Sequence, residues 1–156
     1  MSKPGLFGWQ KYGTLAQMAQ AAVALLGFVA ILFQINELRA GKAFPGYTDL
    51  AFNNPKFAEP EYEKIKAGDR DQRVQYETFV AYFLYACEEA IIAFADRREW
   101  LASCDYDLKP HLPFLCEKSA AEPAYLMTYS TGTQQWVKTS MKTASVTPPD
   151  CKPGKT

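Results

Sequence analysis

The stretch GTLAQMAQAAVALLGFVAILFQINELRAGK, Gly13 to Lys42, decides how the rest of the chain is read. Between Tyr12 and Asn36 lie 25 consecutive residues without a charge. As a helix rising ~1.5 Å per residue they reach ~37 Å, more than the ~30 Å hydrocarbon core of a bilayer. The uninterrupted apolar part, Ala21 to Phe33, has only 13 residues, a length that soluble core helices and secretion signals share. The flanks decide between these. Trp9 and Tyr12 stand beside Lys11 on one side, and Arg39 and Lys42 are followed by Phe44 and Tyr47 on the other, the mixture of aromatic and basic residues that anchors a span at both interfaces. A cleaved signal needs small residues in an A-x-A arrangement just past the apolar run, but Phe33 is followed by QINELR, and the nearest candidate is GKA at Gly41 to Ala43. A retained transmembrane helix over residues 13–38 is expected. A soluble helix, apolar all round because it is buried, is the competing account.

On a helical surface the polar residues of this segment fall into order. Gln17, Gln20, Ala24, Gly27, Ile31, Gln34 and Leu38 are spaced 3, 4, 3, 4, 3, 4, a seam of heptad type. Other faces carry Leu25, Leu26, Phe28, Val29, Leu32 and Phe33, suited to lipid. Small residues let helices approach closely in a bilayer, and a side-chain amide there gains from a partner that satisfies it. Gln17, Gln20, Ala24, Gly27, Ile31 and Gln34 are therefore the candidate helix–helix interface.

The charges total 17 basic and 17 acidic, so no net field draws the chain to nucleic acid. Their distribution is uneven. Residues 1–42 carry a net +3, residues 43–103 a net −4 and residues 104–156 a net +1. Lys3 and Lys11 precede the span, whereas Arg39, Lys42 and Lys56 come after it, a count that leans toward a cytoplasmic C-terminal domain.

Beyond Tyr47 the signals are helical. Thr48 can cap DLAFNN, Pro55 interrupts, and PEYEKIKAG has Pro60 near a helix start and Gly68 as a stop. Asp69 can cap one long helix through Ser103, on which Tyr76, Phe79, Phe83, Cys87, Ile91 and Phe94 recur at helical spacing. KPHLPFLCEKSAAE and PAYLMTYSTGTQQWVKTSM read as two more helices. No strand-like alternation, repeat or glycine-rich phosphate loop is present. The fold class expected is all-α: a tail over 1–12, the transmembrane helix over 13–38, a helical domain over 43–141 and a disordered tail over 142–156.

Candidate chemistry is sparse. Glu88 and Glu89 are neighbours on a helix, about 100° apart, and cannot face one substrate as an acid and base pair. A capping role for one of them is the simpler account. Cys104, His111 and Cys116 lie within 13 residues, but C-x6-H-x4-C is not a standard zinc spacing. In an oxidising compartment Cys104 and Cys116 would be the expected bridge, with Cys87 a core residue and Cys151 without assignment. No catalytic residue, cofactor or metal is expected, and no enzyme.

In the order of its features the chain resembles a group of small bacterial single-span membrane proteins of unknown function, on the segments ILFQINELRAG, AFNNPKFAEP, ADRREWLAS with Trp100, and TQQWVK with Trp136. That resemblance implies an anchored helical domain and supplies no ligand. The function expected is that of a non-enzymatic, single-pass accessory or scaffold subunit of the inner membrane, in contact with the lipid bilayer. It would dock on another integral membrane protein or form a homo-oligomer, without nucleic acid. The alternative is an anchored sensor or effector with a Cys/His redox or metal switch.

Overall fold

The computed structural model describes residues 7–93, 98–146, 148 and 151. Among these every regular element is helical, as expected. The chain divides into two units, residues 1–36 and residues 37–156.

The first unit holds the N-terminal part of α1 (Phe7–Asn53). Gln17–Ile35 is the one stretch among the described residues long and apolar enough to cross a membrane, with a mean hydropathy of 2.1 and none of it buried. By length and composition a signal sequence meets the same requirement.

The second unit is built on an aromatic core. The C-terminal part of α1 supplies Ala43 and Tyr47, both buried. The Tyr47 ring lies 5.0 Å from Phe83 and 5.8 Å from Phe79, and Phe44 meets Trp100 edge to face at 4.9 Å. Helix α2 (Pro55–Ala58) brings Phe57 against Tyr76 and Phe79. Helix α3 (Tyr62–Ala67) ends at Gly68. Helix α4 (Arg70–Ala93) is the central element, its buried side including Tyr76, Phe79, Val80, Phe83, Leu84 and Cys87. Helices α5 (Arg98–Leu108), α6 (Leu112–Ala121) and α7 (Thr131–Thr143) complete the packing. Asp69 caps α4 as its sequence suggests, accepting a 2.7 Å bond from the Gln72 amide.

Four expectations need correction. Thr48 starts no helix: α1 runs through it to Asn53, and its hydroxyl donates to the Phe44 carbonyl at 3.0 Å. The helix continues across Pro45 even though proline removes the bond to the carbonyl four residues back. Burial of Ala43 and Tyr47 on either side holds it. The single helix expected over 69–103 is two helices, α4 and α5, which pack on each other and are joined by a Cys87–Cys104 disulfide with the Cα atoms 5.9 Å apart. No glycine or proline in that stretch signals the break. The last expected helix is a 3-10 turn, Tyr125–Thr128, followed by α7, whose N-cap Ser130 accepts from the Thr133 amide.

The fold also reaches past Met141. Val146 and Cys151 are buried, and Cys151 is bonded to Cys116. The expected disordered tail is thus tied into the core at least at these points, and a covalent bond supplies what its polar composition could not.

Each disulfide restricts the unfolded chain. For loops of 17 and 35 residues the chain-entropy relation gives about 3 and about 4 kcal/mol. Replacing Cys116 and Cys151 together by Ser should therefore destabilise the detergent-solubilised protein by ~4 kcal/mol, and the Cys87 and Cys104 pair by ~3 kcal/mol, read from urea unfolding. An unchanged midpoint for the Cys116 and Cys151 double variant would show that the tail is not held.

Candidate functional site

Four places carry functional potential. The first is the exposed face of α1 in the first unit. Gln17, Gln20, Ala24, Gly27, Ile31 and Gln34 are all on α1 and all exposed, and a methyl group added at Gly27 would meet nothing within 4 Å. The helix therefore presents these six residues without cover from this chain. Of the expected interface anchors, Lys42 is exposed. The side chains of Trp9, Lys11, Tyr12 and Arg39 lie outside the described ones.

The second place is the cysteine and histidine group. Cys104 bonds Cys87, Cys116 bonds Cys151, and no free cysteine remains. The expected Cys104–Cys116 bridge does not form. The two residues belong to different helices, each facing a nearer partner that the sequence left as a core residue or without assignment. Among the described residues no three His, Cys, Asp or Glu side chains converge in a way that could hold a metal ion. With every sulfur bonded, none can serve as a thiolate nucleophile. The even cysteine count was the only available signal for these pairs.

The third is His111, fully buried in the core. Its Nδ1 lies 2.9 Å from the Tyr76 hydroxyl, and the rings of Tyr76, Phe79 and Phe83 surround it at 5.6 to 5.8 Å. The Nε2 atom is buried with no hydrogen-bond partner among the described residues. Burial pushes the imidazole down to about 4, because the charged form would lose its solvation. It is a neutral core group out of reach of a substrate.

The fourth is the surface around α5 and α7. A cleft of about 500 Å³ has Leu108, Leu112 and the Trp136 ring among its lining residues, together with Asp105, Lys109 and Ser140. The Trp136 indole N–H donates to Asp105 at 2.5 Å, so the best-placed carboxylate is already engaged. Glu88 is a structural group, accepting from the Ser130 backbone N–H and, at 3.2 Å, from the Thr133 hydroxyl. A carboxylate there satisfies free amides at the start of α7 and suits its dipole. Elsewhere in this unit Tyr62 donates to Glu117 at 2.9 Å and Lys66 pairs with the same carboxylate. These contacts fasten α3 to α6.

No protein-family model, curated protein or solved structure matches the chain.

The buried histidine makes stability depend on pH. The unfolded chain takes up a proton near pH 6.5 that the folded domain refuses until about pH 4. Stability present above 6.5 is therefore lost as the pH falls through that window, at up to ~1.4 kcal/mol per pH unit. Asp107 acts in the opposite sense. Burial raises its pKa against the lowering bond from Tyr47, so the stability it contributes is lost as pH rises through its folded pKa. His111→Gln, which keeps a hydrogen-bonding group for Tyr76, should flatten the decline between pH 6.5 and 4 in urea unfolding series. An equal slope in the variant would remove His111 as its source.

Proposed function

We propose that this chain is a non-enzymatic, single-pass membrane protein, an accessory or scaffold subunit that docks on another membrane protein or on its own copies, with its helical domain on the oxidising side of the membrane. One observation carries the proposal: the segment Gln17–Ile35 combines a mean hydropathy of 2.1 with complete exposure. A core helix of a soluble protein would be covered by its own chain, and this one is not. In water, Leu25, Leu26, Phe28 and Phe33 would all stand exposed, at ~25 cal/mol for each Å² of apolar surface. In lipid that cost vanishes.

The residues just beyond the span favour retention over cleavage. Cutting at Gly41 to Ala43 would sever α1 at Ala43, which belongs to the buried core with Tyr47. The side of the membrane is argued from sulfur chemistry. Two disulfides account for all four cysteines, and such bonds persist in the periplasm or outside the cell and are rare in the reducing cytosol. That outweighs the lean of Arg39, Lys42 and Lys56 toward the cytoplasm, since a surplus of one or two basic residues is a small bias. In a bacterial cell, the source its resemblance suggests, the domain would lie in the periplasm and the N-terminus in the cytoplasm. The docking function is supported by the uncovered seam of Gln17, Gln20, Gly27 and Gln34.

Fractionation tests this. The chain should stay in the membrane pellet through alkaline carbonate, keep residues 13–38 by mass spectrometry, and lose its C-terminal domain to protease added outside spheroplasts. Release into the soluble fraction, or a mature chain starting beyond Lys42, would contradict the anchor. Protection of the domain until the membrane is broken would reverse its orientation.

A further inference from the structure

We propose that α1 pairs in parallel with α1 of a second copy of this chain, through the positions that recur at a 3, 4 spacing in its sequence from Gln17 to Phe52. The proposal rests on the membrane anchorage argued above and names the partner. After Gln34 the same 3, 4 spacing leads to Leu38, Gly41, Pro45, Thr48 and Phe52. All five are exposed, Phe52 by 85%.

Over residues 41–53 the helix is divided into two sides. Ala43 and Tyr47 are buried, and Phe44, Gly46, Leu50 and Ala51 are half-buried. The exposed positions are the seam residues together with Lys42, Asp49 and Asn53. In heptad terms, with Pro45 at a, the domain covers c, f and g and, at Gly46, b, while a, d and e stay free together with Asn53 at the last b. Positions a, d and e are those through which a parallel two-stranded coil would meet.

A second copy fits this face for three reasons. Two copies inserted in the same sense present the seam in parallel, so each glutamine meets its own counterpart. A carboxamide both donates and accepts, and so satisfies an identical carboxamide where hydrocarbon could not. No position of the seam from Gln17 to Phe52 carries a charge, so nothing repels at the axis. The register also puts an acidic residue, Glu37, at g and a basic one, Lys42, at the following e, positions that face each other between the strands of a parallel pair. The charge pattern of the chain thus complements itself.

Single cysteines introduced into the whole protein test the pairing, because its own four are disulfide-bonded and do not react with a short bismaleimide. In native membranes, Gly41→Cys and Thr48→Cys, beyond the apolar span, should give an adduct of twice the chain mass, and Asn53→Cys should not. In the Thr48→Cys background, Lys42→Glu should reduce the adduct, and adding Glu37→Lys should restore it. The pairing is overturned if membrane-bound chain stays uncoupled at both Gly41→Cys and Thr48→Cys, couples equally at Asn53→Cys, or couples only to a protein of different mass. Chain found in the soluble fraction of the same samples would instead overturn the anchorage on which the pairing rests.

Discussion

Two sulfur–sulfur bonds hold the second unit together and set the conditions under which it exists. Cys87–Cys104 joins the central helix to its neighbour, and Cys116–Cys151 returns the C-terminal segment to α6. All four cysteines are nearly or fully buried, so the bonds lie within the core. A small helical unit with a modest apolar core gains from such crosslinks what a larger domain obtains by burial. Bonds of this kind form and persist in oxidising compartments.

Around the sulfurs the core is aromatic. Tyr47, Phe57, Tyr76, Phe79, Phe83 and Phe114 pack with ring separations of 5 to 6 Å, in tilted and edge-on arrangements that aromatic quadrupoles favour. Tyr47 ties α1 into this set. Burial, and then the neighbouring Asp107 carboxylate, push the pKa of its hydroxyl up. From Ala43 onward α1 is a wall of this core on one side and exposed on the other.

Much of this was legible in the sequence. The helical class and the apolar segment follow from periodicity and charge, which local composition records faithfully. Asp69 and Gly68 announced their caps because turn chemistry is local. What failed was non-local. The α4 and α5 helices share one amphipathic pattern with no glycine or proline to divide it, so the period alone could not show that the chain turns. Thr48 has a capping side chain but spends it on the Phe44 carbonyl inside a longer helix. The disulfide partners depended on helix packing that spacing does not encode: Cys104 and Cys116 are near in sequence, yet each faces a more distant cysteine. Glu88 reached its place on α7 from 42 residues away.

Because the fold and the proposed orientation both depend on the sulfurs, their pairing is the most direct test of the account. Protein taken from membranes with thiols alkylated at lysis, digested without reduction so as to cut between Cys104 and Cys116, would be mapped by mass spectrometry. The account predicts Cys87 linked to Cys104, Cys116 linked to Cys151, and no alkylated cysteine. A Cys104–Cys116 link would contradict the fold. Four alkylated thiols would contradict both the pairing and the oxidising side of the membrane.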